Sequence, residues 1–357
     1  MGNCPDEKHL EDMGMGMGEM TGGGGALPRR ALGRTGMEVT RVGFGAWAIG
    51  GAGWAFGWGT QDDDDSIRAI RHAVRRGVNW IDTAAVYGLG HSEEVVARAL
   101  RDVPATERPL VFTKCGLAWD ENDREAPPRR VGDPASIRRE CEASLRRLGV
   151  ETIDLYQMHW PAEDGTPLEE YWGALLELKA QGKARAIGLS NHSVAQLEAA
   201  ERIGHVDTLQ PPFSAINREA ATELRWCGEH GTGTIVYSPM QSGLLTGAFT
   251  RERAAKLTDD DWRSRNADFT GEGLERNLGL ADALKPVAER HGTSVAAVAV
   301  AWTLTWPGST AAIVGARTPE QVDGWIPAAS LELTDADMDE IADAIRRTGA
   351  GSGPERP

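Results

Sequence analysis

The segment NWIDTAAVYGLGHSE, residues 79–93, passes from an apolar run to polar residues within a few positions. Trp80 and Ile81 are typical of a buried strand, Asp82 follows them directly, and Tyr87 lies in the loop beyond. A carboxylate and a phenol at the end of a buried strand indicate more than core packing. The interpretation of this segment therefore depends on the residues at the ends of the other strands.

Seven further short runs rich in β-branched residues alternate with helical patterns, such as the one at Ile67, Ile70 and Val74. Eight strands that alternate with helices favour parallel pairing and right-handed crossovers. The simplest closed arrangement is a (β/α)8 TIM barrel, an α/β fold. The predicted strands span residues 41–46, 78–83, 109–114, 152–160, 184–190, 206–210, 234–238 and 311–316.

Capping residues mark several helix boundaries. Asp133, Thr166 and Thr318 each precede a proline, which predicts an N-cap followed by proline in the first helical turn. Gly77 and Gly149 lie where the helical patterns stop, as C-terminal glycines do.

The flanking segments complete the predicted organisation. Residues around Arg34–Gly36 predict an N-terminal β-hairpin, and an extra C-terminal helix is predicted from Thr334. Residues 29–347 are predicted to form a single barrel domain, with a disordered tail at 1–28 and a flexible C-terminus at 348–357. The long polar segment 239–275 is predicted to form a loop over the active face.

Composition excludes several classes of function. The 357 residues carry a formal net charge of −15, whereas nucleic-acid binding depends on clustered Lys and Arg. No apolar run approaches the roughly 18 residues that span a bilayer, and the first residues lack the pattern of a secretory signal. The four cysteines have neither disulfide nor metal-ligand spacing. We therefore expect a cytoplasmic protein with a small-molecule partner and no metal; the composition does not assign an oligomeric state.

In barrels of this kind, chemistry is carried by residues at the C-terminal ends of the strands. These positions hold Asp82 with Tyr87, then Lys114, then His159, on consecutive strands. Each has an ordinary alternative when taken singly: a turn cap, a half-buried tyrosine, a lysine that reaches solvent, and a core histidine. Together they indicate proton donation by Tyr87.

The chemistry of these four side chains is complementary. Lys114 would lower the pKa of the Tyr87 phenol, and Asp82 would keep the ammonium charged and in place. His159 would orient a carbonyl oxygen and share its developing negative charge. None of these groups supplies electrons, so a cofactor must bring the hydride.

With these motifs, the sequence resembles an aldo-keto reductase, similar to bacterial members related to potassium-channel β-subunits, over roughly residues 29–347. DTAAVYG, FTKCG and DLYQMHWP match motifs of that family, which implies a catalytic tetrad of Asp82, Tyr87, Lys114 and His159. The resemblance also implies residues that bind a nicotinamide cofactor: Ser190, Asn191 and Gln210 at the amide, Phe213 stacked on the ring, Ser238, Met240 and Gly243 at the pyrophosphate, and Gly315, Arg317 and Gln321 at the adenosine end.

The cofactor implied by the resemblance is bound without a Rossmann fold. Arg317, near the start of the last barrel helix, is suited to a 2′-phosphate and favours NADPH over NADH. Gly324-Trp325 stands where the family often has Glu-Asn, which leaves stacking of Trp325 on adenine as an alternative to hydrogen bonding.

The stretch VGFGAWA, residues 42–48, mimics the dinucleotide fingerprint of a Rossmann fold, but the glycines after it disfavour a helix at that point.

Tryptophans in the loops predict the substrate pocket. Four tryptophans follow strands one, three and four, and would line an apolar pocket for an aldehyde or ketone, or for the face of a sugar: Trp47, Trp54, Trp119 and Trp160.

An alternative function is compatible with the same sequence. The β-subunits of voltage-gated potassium channels share this fold and act chiefly as partners, so an NADPH sensor with little turnover would have the same residues. A (β/α)8 lyase or isomerase is disfavoured, since a companion set for phosphate or metal is missing from the motifs.

Overall fold

The structure is a computed structural model that describes residues 26–258 and 261–357. The predicted tail at 1–28 lies outside these residues except for its last three positions. The strands are β1 (Arg29–Ala31), β2 (Glu38–Thr40), β3 (Val42–Gly45), β4 (Trp80–Asp82), β5 (Leu110–Cys115), β6 (Leu117–Ala118), β7 (Arg129–Arg130), β8 (Ile153–Met158), β9 (Ala184–Ser190), β10 (Thr208–Gln210), β11 (Gly233–Val236) and β12 (Ala311–Gly315).

Eight of these strands close into a parallel barrel in the order β3, β4, β5, β8, β9, β10, β11, β12 and back to β3. All eight predicted barrel strands are present, most of them shorter than predicted because the ladder ends before the flanking loops. The helices around them are α1 (Asp63–Arg75), α2 (His91–Leu100), α3 (Pro134–Leu148), α4 (Leu168–Ala180), α5 (Val194–Glu201), α6 (Ala221–His230), α7 (Arg251–Ala254), α8 (Gly271–Ala283), α9 (Lys285–Arg290), α10 (Val295–Thr303), α11 (Pro319–Trp325) and α12 (Asp335–Thr348). Among the described residues, none of the helices has the length and apolar character to cross a bilayer.

The predicted N-terminal hairpin closes one end of the barrel. Strands β1 and β2 pair antiparallel, and Leu32 and Val39 pack with Trp80 and Phe112 from inside the barrel. The indole Nε1 of Trp80 donates a hydrogen bond to the backbone oxygen of Thr40 (2.8 Å). The hairpin fills the N-terminal end with apolar side chains, so the polar residues gather at the opposite end.

Alternation along the strands sorts the side chains between the two sides of the barrel wall. Trp80 belongs to the interior cluster, whereas Ile81 packs outward in the larger cluster beneath the helices. Asp82 follows in phase with Trp80, and Lys114 follows in phase with the interior Phe112. Because side chains alternate between the two sides of a strand, the Asp82 carboxylate and the Lys114 ammonium lie inside the barrel, beyond its apolar layers.

Most predicted helix boundaries agree with the structure, and one does not. Asp133 caps α3, since its carboxylate accepts from the Ser136 N–H (2.8 Å), and Gly149 ends that helix with φ of 67°. Helix α4 instead begins at Leu168, with Pro167 as its N-cap. The backbone N–H of Thr166 donates to Asp164 (3.0 Å), so Thr166 belongs to the preceding turn and the predicted cap is wrong.

Two chain segments differ from their predicted form. Strands β6 and β7 form a small antiparallel hairpin after β5 that was not predicted. At the end of the chain, the Ser352 N–H donates to the Ile216 oxygen (3.1 Å), and the Arg218 N–H donates to the Ser352 oxygen (3.0 Å). These contacts tie Ser352 to the loop after β10, and flexibility of residues 348–357 stays a prediction.

Candidate active site

Asp82 and Lys114, at the ends of β4 and β5, form a buried ion pair. Lys114 Nζ lies 2.5 Å from Asp82 Oδ1 and also donates to the Thr83 backbone oxygen (2.9 Å). Burial lowers the pKa of Lys114 and raises that of Asp82, while the charge of each opposes the shift of the other. The pair is held by hydrogen bonds that offset part of its desolvation.

Two glutamine side chains complete the surroundings of Asp82. Gln210 Nε2 donates to Asp82 Oδ2 (2.9 Å) and lies 3.4 Å from Gln157 Oε1. The contact of Gln210 with Asp82 was not predicted from the sequence, which assigned Gln210 to the cofactor amide. Gln157 was also missed, although its phase along β8 with the interior residue Leu155 points it into the barrel.

Tyr87 and His159 lie beside this ion pair. Lys114 Nζ is 5.2 Å from the centre of the Tyr87 ring, and the Tyr87 and His159 rings meet edge to face at 5.7 Å. The loop that carries Tyr87 leaves β4 and turns back into α2, with the Tyr87 N–H donating to the Ala84 oxygen (3.1 Å). The structure thus brings together the four residues that the sequence proposed as a tetrad.

Protonation differs in one respect from the prediction. Burial, together with Asp82 and Tyr237, raises the pKa of Tyr87 well above 10.0, whereas Lys114 was expected to lower it. The reason is that Asp82 offsets the ammonium and that the phenolate would be desolvated. Burial, together with Lys114 and Arg130, lowers the pKa of His159 well below 6.5. At neutral pH the site therefore holds a protonated phenol beside a neutral imidazole.

Ser190 and Asn191, at the end of β9, connect the histidine to β10. Ser190 Oγ donates to the Gln210 backbone oxygen (2.8 Å), and Asn191 Nδ2 donates to the His159 backbone oxygen (2.9 Å). Asn191 has a φ of 63°, a left-handed conformation that is unfavourable for a side-chain-bearing residue and is often found at functional sites. Both residues lie where the sequence predicted them, next to the tetrad.

The predicted stacking role of Phe213 is contradicted. Its ring is fully buried and packs between Trp302 (5.8 Å) and Trp306 (5.0 Å), so it has no face for a ligand. The aromatic ring at the site belongs to Tyr237, whose hydroxyl donates to Asn191 Oδ1 (2.8 Å). Sequence reasoning missed Tyr237, although its phase with the interior residue Ile235 was a signal for it.

The loop after β11 has an unusual backbone. Ser238, Gln241 and Ser242 have φ values of 55°, 45° and 51°, and Gly243 has 105°. A right-handed residue followed by a left-handed one, as Met240 (φ −102°) and Gln241 are here, turns successive backbone N–H groups toward one side and forms a concavity suited to anions. This is the loop that the sequence assigned to a pyrophosphate, through Ser238, Met240 and Gly243.

Arg317, beyond the end of β12, reaches across to the loop after β3. Its guanidinium donates to the side chain of Gln61, to the Thr60 backbone oxygen, and to the Trp58 backbone oxygen (3.4 Å). All three acceptors are neutral, so these contacts hold the guanidinium in place without compensating its charge.

Other cations lie near Arg317. Burial, followed by the charges of Arg263 and Arg253, lowers the pKa of Arg317 from its usual value. Gln321 Oε1 accepts from the Arg317 N–H (2.7 Å), and Gly315 is exposed at the end of β12. Arg263 itself pairs with Asp261 (2.6 Å), so a bound anion would chiefly stabilise the charge of Arg317, whose three acceptors are neutral.

Trp325 is the last residue of α11, the helix that begins just after Arg317. Its side chain is 1% exposed and packs in the core, so the alternative of stacking on adenine is wrong. Trp58 is the tryptophan that lies near the arginines: the Arg263 guanidinium is 4.8 Å from its ring centre.

Most of the predicted pocket tryptophans surround Tyr87. The rings of Trp47 and Trp54 lie 6.2 Å and 6.4 Å from it, and Trp119 belongs to the same cluster. Trp160 instead packs against the Arg130 guanidinium (4.3 Å). Trp262, which was not predicted, stacks on Trp47 (6.1 Å) and brings the polar segment after β11 onto this face of the barrel.

Comparisons with known proteins match the chain to one family. The sequence profile of the Aldo/keto reductase family matches residues 41–346. Aldo-keto reductase YhdN of Bacillus subtilis (strain 168) is 36% identical over 324 residues, which cover 90% of this chain and 95% of that protein. NADH-specific methylglyoxal reductase of Escherichia coli (strain K12) is 36% identical over 331 residues, covering 88% and 98%.

Solved structures show the same architecture. The glycerol dehydrogenase AKR11B4 from Gluconobacter oxydans matches with a TM-score of 0.81 and 38% identity, covering 93% of this chain and 98% of that one. The aldo-keto reductase AKR11C1 from Bacillus halodurans has a TM-score of 0.73 at 22% identity, covering 89% and 96%, and shares the fold. The chain is an oxidoreductase of (β/α)8 fold that belongs to the aldo/keto reductase family.

Proposed function

We propose that this protein uses NADPH to reduce an aldehyde or ketone to an alcohol, with Tyr87 as the general acid. The observation that carries the proposal is the contact of the Tyr87 ring with the His159 ring (5.7 Å) and its position 5.2 Å from Lys114 Nζ; the directions of the pKa shifts favour a protonated phenol and a neutral imidazole there. Both groups can donate a hydrogen bond to one carbonyl oxygen, and only the phenol has a proton to give up at the end of the reaction.

The remaining tetrad residues support that proton transfer. The bound cofactor supplies the hydride. Lys114 holds a positive charge 5.2 Å from the phenol ring, which favours the phenolate as it forms. Asp82 keeps this ammonium in position through the 2.5 Å contact with Nζ, and Gln210 in turn orients Asp82.

The residues present fit a nicotinamide dinucleotide. We assign the amide end to Ser190 and Asn191, and stacking on the ring to Tyr237, which is bonded to Asn191. The left-handed backbone after β11 suits a pyrophosphate. Gln321 supports the position of Arg317 through its backbone N–H.

A preference for NADPH over NADH is proposed from the charges at the adenosine end. Arg263 is paired with Asp261 (2.6 Å), whereas the acceptors around Arg317 are neutral, so the Arg317 guanidinium is the charge that a 2′-phosphate would compensate. One relative carries the name NADH-specific methylglyoxal reductase, which makes cofactor preference the property to measure first.

The substrate is proposed to be a small carbonyl compound with an apolar or aromatic group. Trp47, Trp54 and Trp119 give the space beside Tyr87 apolar walls. The names of two similar proteins, a methylglyoxal reductase and a glycerol dehydrogenase, describe small oxygen-containing compounds. Such compounds belong in the substrate panel beside aromatic and sugar aldehydes.

The test is the loss of NADPH absorbance with this panel, for the parent and for Tyr87→Phe. We expect the parent to oxidise NADPH faster than NADH, and the variant to lose roughly 100-fold or more in kcat, since it lacks the acid. Its Kd for NADPH should stay within about twofold of the parent value. Equal rates in parent and variant would remove Tyr87 from the mechanism. Tight NADPH binding by the parent without turnover would indicate a cofactor-sensing protein.

A further inference from the structure

Glu93 is a buried carboxylate outside the proposed tetrad. It lies in the first turn of α2, and its side chain is 0% exposed. A carboxylate without water costs several kcal/mol unless it is paired and hydrogen-bonded, so its presence in a core requires specific partners. Such a group at this position calls for an explanation beyond the packing of α2.

The partners of Glu93 come from two different elements. Thr113 Oγ1, on β5, donates to Glu93 Oε1 (2.6 Å). Arg147 Nε, on α3, donates to Glu93 Oε2 (2.6 Å), and the Arg147 side chain is 19% exposed. Each carboxylate oxygen is therefore bonded, and three separate elements meet at one side chain.

Thr113 and Glu93 lie next to the chain segments that carry Lys114 and Tyr87. Thr113 directly precedes Lys114 on β5, and α2 begins directly after the loop that carries Tyr87. The loop has a weak contact of its own with the strand, because the Ala85 N–H is 3.5 Å from the Lys114 oxygen. Thr83, at the start of the loop, bonds to β5 through the Phe112 oxygen (2.8 Å) and Lys114 Nζ (2.9 Å). The Thr113–Glu93 bond (2.6 Å) is the short connection between β5 and the start of α2, at the other end of the loop that carries Tyr87.

Other hydrogen bonds hold the start of α2 and the end of the Tyr87 loop in place. Ser92 Oγ lies 2.9 Å from Thr83 Oγ1 and donates to the Ala46 oxygen (2.9 Å), and the Ser92 N–H donates to the Tyr87 oxygen (3.1 Å). Arg147 runs directly beneath the start of α2, since a Cβ placed on Gly90 would lie 3.0 Å from Arg147 Cδ. The first turn of α2 is thus held on one side by Arg147 of α3 and on another by Thr113 of β5.

We propose that Glu93 is a positioning residue: through Thr113 it fixes the loop of Tyr87 against the strand of Lys114, and so sets the phenol relative to the ammonium. Arg147 compensates the charge of Glu93 and locks its orientation. This inference rests on the proposed role of Tyr87. It assigns to Glu93 an effect on the proton-transfer step without contact with substrate or cofactor.

The decisive variant is Thr113→Val, which removes the bond to Glu93 but retains shape, burial and the Glu93–Arg147 pair. We expect kcat for carbonyl reduction to fall roughly tenfold or more, because displacements of about 1 Å are enough to impair catalysis. KM for the carbonyl compound and Kd for NADPH should change less than about twofold, since the binding residues are untouched. Thr113→Ser retains the hydroxyl and should restore kcat to within about threefold of the parent.

Two further variants distinguish positioning from general stability. Glu93→Gln should lower kcat in the same direction as Thr113→Val. Glu140→Gln is the matched control, because Glu140 is another largely buried carboxyl whose bonds go to the Gly116 N–H (2.8 Å) and Ser136 (3.1 Å). It should leave kcat within about twofold of the parent even if the melting temperature falls.

Hydrogen exchange of residues 84–92, followed by mass spectrometry without cofactor, supplies a readout that is independent of turnover. Exchange should be faster in Thr113→Val and Glu93→Gln than in the parent, and unchanged in Thr113→Ser and Glu140→Gln. An unchanged kcat and unchanged exchange in Thr113→Val would overturn the inference. If the parent itself has no carbonyl reductase activity, the proposed function fails, and the exchange comparison alone decides whether Glu93 holds the Tyr87 loop.

Discussion

Arg317 is the residue whose surroundings bear most directly on cofactor choice. Its three acceptors in the loop after β3 are neutral, whereas Arg263 and Arg253 add positive charge nearby. Within residues 26–258 and 261–357, no carboxylate pairs with Arg317, so a phosphate would bind there without first breaking an ion pair. At the residue scale, the proposed preference for NADPH therefore depends on one side chain that is already held in place.

We predict that Arg317→Gln weakens NADPH binding by roughly 10- to 100-fold, the amount expected for a lost charge-assisted hydrogen bond. NADH binding should change less than about threefold, because NADH has no 2′-phosphate. Fluorescence titration of the protein with each cofactor measures both constants. Arg346→Gln is the control, since the pair that Arg346 forms with Asp343 on α12 is exposed. An equal loss for both cofactors would mean that Arg317 serves only to anchor the loop after β3.

Single residues also show where sequence reasoning succeeded and where it failed. Asp82, Lys114 and His159 follow directly from strands whose ends were predicted, so their convergence could be derived. Phe213 and Tyr237 both follow a strand, and the motif resemblance selected the wrong ring. Alternation from Ile235 places Tyr237 inside the barrel, whereas Phe213 lies past the end of β10 in a turn whose direction the sequence does not specify.

At the scale of elements, α12 shows how a helix outside the barrel is fastened to it. Its predicted start at Thr334 is confirmed, and Asp337 forms a capping box with Thr334. The Asp337 carboxylate is fully buried and also accepts from His291 (2.8 Å) and from Arg290, both at the end of α9. Burial raises the pKa of Asp337, but the hydrogen bonds from His291, Thr334 and Arg290 outweigh it, so the net pKa lies below its usual value.

We predict that Asp337→Asn lowers the free energy of unfolding by about 2 kcal/mol near neutral pH, through the loss of a cap and a buried charge pair. Because the folded-state pKa is depressed, this stabilisation is fully present above the unfolded pKa of about 4 and is lost as pH falls through the folded value. Urea unfolding at several pH values should therefore show the parent approaching the variant in acid.

The control for α12 is Asp335→Asn. Asp335 lies in the same first turn, but its side chain is 98% exposed and pairs with Arg356, so its removal should change stability by less than about 0.5 kcal/mol. A loss in Asp335→Asn as large as in Asp337→Asn would assign the effect to the helix dipole rather than to the buried network.

Elements with strong local signals were predictable, and elements fixed by distant contacts were not. The barrel strands have continuous apolar runs, and Asp133 and Gly149 have local capping chemistry. The hairpin of β6 and β7 has only two residues in each strand, too few for any periodicity. The C-terminal residues at 350–353 are held by Ile216 and Arg218, a contact between distant parts of the chain that local patterns do not specify.

At the scale of the whole molecule, the two ends of the barrel divide stability from chemistry. The hairpin closes one end with an apolar cluster, and the tryptophan-rich loops surround the other, where Asp82 and Lys114 are buried and Tyr87 and His159 are partly exposed. This burial is a joint product of all eight strands and of the segments after β3 and β11. It could be anticipated from the fold class, whereas the direction of the resulting shift in the Tyr87 pKa could not.

Burial shifts the pKa values of the site residues, so we expect it to determine the pH dependence of carbonyl reduction. Tyr87 has a pKa well above 10.0 and His159 one well below 6.5, so neither changes its protonation between those values. Lys114 is different, because burial lowers its pKa from 10.5, and we expect it to lose its proton before Tyr87 as pH rises above the neutral range. We predict a kcat/KM that is level through the neutral range and an alkaline decline that reflects Lys114. An ultraviolet difference titration of the parent against Tyr87→Phe should place ionisation of the phenol at higher pH than the kinetic decline. If the two midpoints coincide, loss of the Tyr87 proton itself limits the rate, and the ammonium retains its charge throughout.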